Sequence, residues 1–201
     1  MSQQDRSAGW AAYYDKLRDR PPRKTVLMAL DLFGSPAADS LVTDLGCGDG
    51  RDVVEMVRRG WNVVAVDAEP AALQQLAARQ MPDADRITPI AARLEEVPLP
   101  LGVTWVNSSF AMPLCEPARF SALWERIRES LPVGGRFTGQ WYGLRDSWVG
   151  RPGITFLDRA EALASLDGFE IEMFDEEEAD SVTPRGNPKH WHIFHIVVRK
   201  R

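Results

Sequence analysis

The chain has 201 residues, 44% of them apolar and 26% charged, and a formal net charge of −5. That length gives one domain with a proper core, and the acidic balance lacks the basic stripe that a nucleic-acid partner demands. No apolar run reaches about 18 residues and the N-terminus has no signal-peptide core, so no membrane partner is expected. Two cysteines without metal spacing, Cys47 and Cys115, fit a reducing, cytoplasmic setting.

The first 40 residues predict two helical pieces, "AGWAAYYDKLRD" and, after Pro21-Pro22, "RKTVLMALDLF" ending at Gly34. From there strands and helices alternate. "SLVTDL" predicts a strand, "GRDVVEMVRRG" a helix, "NVVAVD" a buried strand and "PAALQQLAARQ" a helix with proline near its start. "RITPIA" and "VTWVNSS" predict two more strands, separated by a proline-broken stretch. In "PARFSALWERIRESL", Phe120, Leu123, Trp124, Ile127 and Leu131 repeat at helical spacing. "RFTGQWYG" is the next strand and "RAEALASL" a short helix. "FEIEMFDEEE" and "HWHIFHIVVRK" are the last two strands; only a loop at 175–188 joins them, as suits an antiparallel pair. The acidic run from Asp175 to Asp180 is expected within that solvated loop. Alternating strands and helices predict a doubly wound α/β sheet with helices on both faces.

The strongest chemical signal is "DLGCGDGRD", Asp44 to Asp52, between the first strand and the next helix. Gly46, Gly48 and Gly50 let the backbone approach a ligand closely. The second strand ends in Asp67, placed to accept both hydroxyls of a ribose. Dinucleotide sites use G-x-G-x-x-G, whereas the spacing here is G-x-G-x-G, with Asp44 two residues ahead of the first glycine. Asp49 and Asp52 add negative charge. Carboxylates so placed repel a pyrophosphate and attract a sulfonium and an ammonium. Cys47 could be read as a nucleophile, but a small side chain in a backbone-driven loop is the simpler reading.

"LVTDLGCGDG" with "VVAVDAEP" resembles the class I S-adenosylmethionine-dependent methyltransferases, over roughly Trp10 to Lys200, and is similar in size and layout to the small bacterial tellurite-resistance group. The resemblance implies a seven-stranded Rossmann-like sheet, mostly parallel, whose antiparallel last strand inserts between strands five and six. It implies a single domain over residues 1–201, with 1–34 as a helical cover and 40–201 as the core. S-adenosylmethionine would be the cofactor. Gly46, Cys47 and Gly48 would line its methionine part, with Asp44 near the ammonium. Asp67 would take the ribose, Ala68 would pack beside the adenine, and Arg93 and Leu94 would meet the adenine edge, where the family often has Asp instead of Arg93. Asn107 and Ser108 would border the transferred methyl, and Tyr14 and Arg20 would close over the cofactor, Arg20 as a carboxylate partner.

For the acceptor, "NSSF" after the fourth strand lacks the Asn/Asp-Pro-Pro-aromatic motif of base and glutamine methylation. Asn107 alone makes no magnesium site, so no metal is expected. The fifth strand delivers Trp141, Tyr142, Arg145, Asp146 and Trp148 to the ligand edge, suited either to a small, partly apolar acceptor or to packing of a lid. All three histidines lie in "KHWHIFH". His190 and His192 share one strand face and are read as a proton acceptor or as hydrogen-bonded packing, while His195, on the other face, is read as a core residue. The reading is a small-molecule methyltransferase; the alternatives are a non-catalytic S-adenosylmethionine-binding protein and an NAD-dependent oxidoreductase.

Overall fold

The computed structural model describes residues 20–100, 102–183 and 186–201. Helix α1 (Lys24–Phe33) stops at Gly34, whose backbone N–H closes onto Leu30. Strand β1 (Leu41–Leu45) leads through the glycine loop into α2 (Arg51–Arg58). β2 (Asn62–Asp67), α3 (Pro70–Ala77) and β3 (Ile87–Ala91) complete the first half. β4 (Trp105–Ser108), α4 (Pro117–Ser130) and β5 (Arg136–Gly143) follow. The chain closes with β6 (Phe156–Leu157), α5 (Arg159–Ser165), β7 (Phe169–Val182) and β8 (Pro188–Lys200).

The sheet runs β3-β2-β1-β4-β5-β8-β7, with β6 beside the far end of β5. β1 to β6 pair in parallel, whereas β8 is antiparallel to both β5 and β7. This is the expected doubly wound, Rossmann-like sheet with its antiparallel last strand between two others. The two-residue β6 makes eight strands instead of seven; it is too short for periodicity to reveal.

All eight residues of β5 are buried, as befits a strand covered on both faces. One face carries Phe120, Trp124, Phe137, Trp141 and Phe194, sealed by α4, whose buried Phe120, Leu123, Trp124 and Ile127 keep the predicted spacing. The other carries Val26, Leu30, Met56, Trp61 and Trp105 under α1 and α2. Each such fully buried large side chain contributes roughly 1.5–3 kcal/mol through the hydrophobic effect. α1, expected as part of a cover, is therefore built into the core. The first helical piece of that cover, including Tyr14, lies outside the described residues.

The β7–β8 hairpin departs from the sequence reading. β7 continues to Val182, so Asp175 to Asp180 stand on a sheet-edge strand and not in a loop. Cross-strand charge pairs explain it: Glu178 and Asp180 meet His190, Glu176 meets His192 and Glu177 meets His195. Carboxylates that would disfavour a strand are hydrogen-bonded by the facing histidines, and a charged edge resists pairing with another chain.

Candidate active site

The loop after β1 turns its amides inward. Gly46 and Cys47 both donate their N–H to the Val66 carbonyl, at 2.8 and 2.9 Å, and Gly48 donates to Asp67 Oδ2 at 2.8 Å. A Cβ on Gly46, whose φ is +76°, would overlap the Cβ of Ala111, so only glycine fits there. Leu94 also borders this glycine. With three successive amides committed to β2, the loop has little to offer a pyrophosphate.

Its side chains are acidic. Asp44, Asp49, Asp52 and Asp67 are all buried. Asp49 is ion-paired with Arg79, and Asp52 accepts the backbone N–H of Arg23 at 2.9 Å. Asp44 and Asp67 receive neutral donors. Asp67 accepts from the amides of Gly48 and Glu69, at 2.8 and 2.9 Å, one on each oxygen. Asp44 accepts from Asn107 Nδ2 at 2.6 Å. Burial, helped by the charges of Asp52 and Asp67, pushes the Asp44 carboxyl up to about 8, against the opposing hydrogen bond from Asn107. Burial also raises Asp67. Cys47 is pushed well above its ordinary range, by burial and by Asp44 and Asp67, which makes it a poor nucleophile.

A cavity of about 880 Å³ opens beyond the ends of β4 and β5, with Arg23, Phe110, Gln140, Phe174, Glu177 and His195 among its walls. Phe110 has φ +59°, a left-handed conformation rare for an aromatic residue. The Gln140 side chain holds it by accepting the Phe110 N–H at 3.1 Å, and in turn donates to Thr25 at 3.0 Å. The Arg23 guanidinium lies 4.3 Å from the Phe110 ring centre. Phe110, Gln140 and Thr25 escaped the sequence reading; the signal available was "SSF" directly after a strand.

Among the expected cofactor residues, Asp44, Gly46, Cys47, Gly48, Asp67, Leu94 and Asn107 come together at the ends of β1, β2 and β4. Ala68 is exposed beside Asp67. Ser108 is a brace: its hydroxyl donates to Leu45 O and accepts from Met112 N–H, both at 3.1 Å. Arg93 is exposed and paired with Glu95, and Arg20 is exposed.

The expected acceptor residues are placed otherwise. Trp141 is 1% exposed and packs edge-on against Trp124 in the core. Tyr142 and Trp148, with Trp191, surround the Lys189 ammonium, which is ion-paired with the buried Asp146. Arg145 bridges Glu176 and Glu178 at the surface. The aromatic residues fill space around a buried cation and do not line the cavity.

The histidines lie elsewhere than expected. His192 is buried against Gly143, where any Cβ would overlap its ring. Its Nδ1 accepts the Arg145 N–H at 3.1 Å and its Nε2 lies 2.9 Å from Glu176. His190 sits between Asp180 and Glu178, which raise its pKa. Neither is among the residues that line the cavity. His195, expected in the core, faces the cavity, because the apolar face of β8 is the one that carries His192, Phe194 and Ile196. Among the described residues no group of three or more His, Cys, Asp or Glu could hold a metal ion, and no helix is long and apolar enough to cross a membrane.

Residues 42–135 match the family model described as "methyltransferase domain". No curated protein sequence matches the chain. The fold is similar to TehB from Haemophilus influenzae, with a TM-score of 0.76 at 15% identity over 94% of this chain; the chain spans 66% of that protein's length. It is also similar to a 1,6-didemethyltoxoflavin-N1-methyltransferase from Burkholderia thailandensis, with a TM-score of 0.66 at 20% identity over 100% of this chain and 91% of that one. A phosphoethanolamine N-methyltransferase from Haemonchus contortus gives 0.70 at 16% identity, over 98% and 58% of the two chains.

Proposed function

We propose that this chain, whose residues 42–135 match the methyltransferase-domain family model, is an S-adenosylmethionine-dependent methyltransferase that methylates a small molecule held in the cavity beside Phe110. The observation that carries the reading is the buried Asp44 carboxyl, pushed up to about 8 beside Asp67 and bonded, among the described residues, only to neutral donors. A cation relieves that arrangement, and a phosphate aggravates it.

S-adenosylmethionine supplies a methyl group already activated on a sulfonium. Asp67 keeps lone pairs for a ribose diol while the Gly48 and Glu69 amides fix its orientation. Asp44 and Asn107 face the positive end of the cofactor, and Leu94 and Ala111 wall the loop. The chain aligns acceptor and methyl and excludes water, with little covalent work of its own. A small-molecule acceptor is favoured by the size of the cavity and its two phenylalanines; the Burkholderia and Haemonchus proteins are named for small-molecule substrates. A cytoplasmic location belongs to the same reading, from the two free, buried cysteines.

Calorimetric titration with S-adenosylmethionine, S-adenosylhomocysteine and NAD tests the reading. Micromolar binding of the first two and none of NAD is expected, with the affinity lost in Asp67→Ala. NAD binding alone, or unchanged affinity in Asp67→Ala, overturns it.

A further inference from the structure

We infer that His195, oriented by Glu177, is the group that takes the acceptor's proton as the methyl arrives. The inference rests on the methyltransferase reading and extends it to the acceptor's chemistry.

His195 stands opposite Gln140 in the β5–β8 register and opposite Asp175 in the β7–β8 register. Its ring lies edge-on to Phe110, 6.3 Å between centres, on the cavity wall. Nε2 lies 2.7 Å from Glu177 Oε2, and Nδ1 has no protein partner among the described residues. A carboxylate on one ring nitrogen fixes the proton there and leaves the other nitrogen's lone pair as the base. His192 has both nitrogens occupied by protein, so of the two only His195 has a nitrogen left for an acceptor.

The step balances within the site. The acceptor heteroatom bonds to the methyl carbon while the carbon–sulfur electron pair returns to sulfur. The acceptor's proton passes to His195 Nδ1, and the imidazolium is stabilised by Glu177 until water in the open cavity takes the proton. The positive charge moves from sulfonium to imidazole with no other co-reactant. The acceptor class follows: a neutral nucleophile that still carries a proton beside its lone pair, a hydroxyl, thiol or uncharged amine, and not an oxyanion already charged. Other charged groups facing His195 are Asp175, itself paired with Lys24 of α1 at 2.8 Å, Arg23 across Phe110, and Arg51 and Arg159 on the cavity wall.

The test uses the full chain with two probe acceptors, naphthol, which carries its proton at neutral pH, and nitrobenzenethiol, which does not. His195→Gln should lower kcat on naphthol about 100-fold or more, spare nitrobenzenethiol, and leave S-adenosylmethionine affinity within about twofold. Glu177→Gln, which removes the orienting charge, should shift the acid limb of the naphthol pH profile downward. Nitrogen-15 spectra should show His195 protonated at Nε2 in its neutral form. Equal losses on both probes, an unmoved acid limb, or a proton on Nδ1 overturn the assignment. A wild-type protein that binds S-adenosylmethionine but methylates neither probe overturns it too, while sparing the cofactor reading; failure to bind S-adenosylmethionine at all sinks both.

Discussion

Asn107 Nδ2 donates to Asp44 Oδ1 at 2.6 Å, and it is the last link of a buried chain across three strands. Trp105 Nε1 donates to Thr138 Oγ1 at 2.8 Å, and Thr138 Oγ1 donates to Asn107 Oδ1 at 2.7 Å. Every donor in that chain points towards the carboxyl beside the glycine loop. Satisfied networks of this kind hold one geometry in a low-dielectric interior. The chain fixes the Asp44 orientation without supplying a positive charge, which leaves that role to the ligand.

Cofactor binding should therefore release a proton. Below about pH 8 the Asp44 carboxyl is largely protonated, and a cation beside it drives ionisation. Calorimetry at pH 7 in two buffers of different ionisation enthalpy should show up to one proton released by the wild type and none from Asp44 in Asp44→Asn.

The same carboxyl makes the ligand-free protein's stability pH-dependent. A folded-state pKa raised above the ordinary 3.8 means the native state binds the proton more tightly than the unfolded chain. This contribution is fully present below about pH 3.8 and is lost as pH rises through about 8. Urea midpoints should fall with pH across that window, and the Asp44→Asn profile should be flatter. An equally steep profile in the variant would remove Asp44 as its source.

Gly46→Ala should abolish cofactor binding while the chain still folds. The new Cβ meets Ala111 and the backbone sits at φ +76°, so the loop must move away from β4. Gly34, also at positive φ (67°, with ψ −141°), has open space around it among the described residues, and Gly34→Ala should cost only the roughly 1–3 kcal/mol of its backbone conformation. Titration with S-adenosylhomocysteine separates the two variants.

Much of the fold was legible because α4 and the parallel strands follow simple rules of spacing and burial. The glycine loop was legible because the bend between β1 and α2 requires those residues. The acceptor side was not. Trp141 and the neighbouring aromatic residues mark a strand end in sequence, but whether they face ligand or core depends on what α4 and Lys189 put against them. The placement of the histidines was hidden similarly. Their alternation between two faces was right, yet which face was apolar depended on Phe194 and Ile196 packing under α5 and β7. Glu176 to Asp180 resembled a loop because the cross-strand partners that hydrogen-bond them lie ten or more residues away.

Trp141→Phe distinguishes the two readings of that aromatic strand end. Trp141 is enclosed by Trp124, Phe120 and Phe137, and its indole N–H has no hydrogen-bond partner among the described residues. The substitution should lower the thermal midpoint through lost packing, offset in part by removal of an unsatisfied donor. Cofactor affinity and the KM for naphthol should not change; a raised KM would return Trp141 to the acceptor site.

Lys189 and Asp146 should prove strongly coupled. Both side chains are fully buried, with the ammonium 4.5 Å from the Trp148 ring centre and 4.4 Å from that of Trp191. Burial lowers the Lys189 pKa, while Asp146 opposes the shift. Asp146 also accepts the backbone N–H of Trp148 at 2.8 Å and of His192 at 3.3 Å, so the pair joins the loop after β5 to the start of β8. Lys189→Met leaves an uncompensated buried carboxylate and should cost about 3–5 kcal/mol. Asp146→Asn keeps an acceptor for the two amides but strands the ammonium, at a similar cost. The double variant Lys189→Met/Asp146→Asn restores neutrality and should recover much of that loss, since an ion pair replaced as a unit is often close to neutral in stability. Urea unfolding of the four proteins measures the coupling. Additive losses would mean that the two charges do not stabilise each other and that the aromatic cage alone holds Lys189.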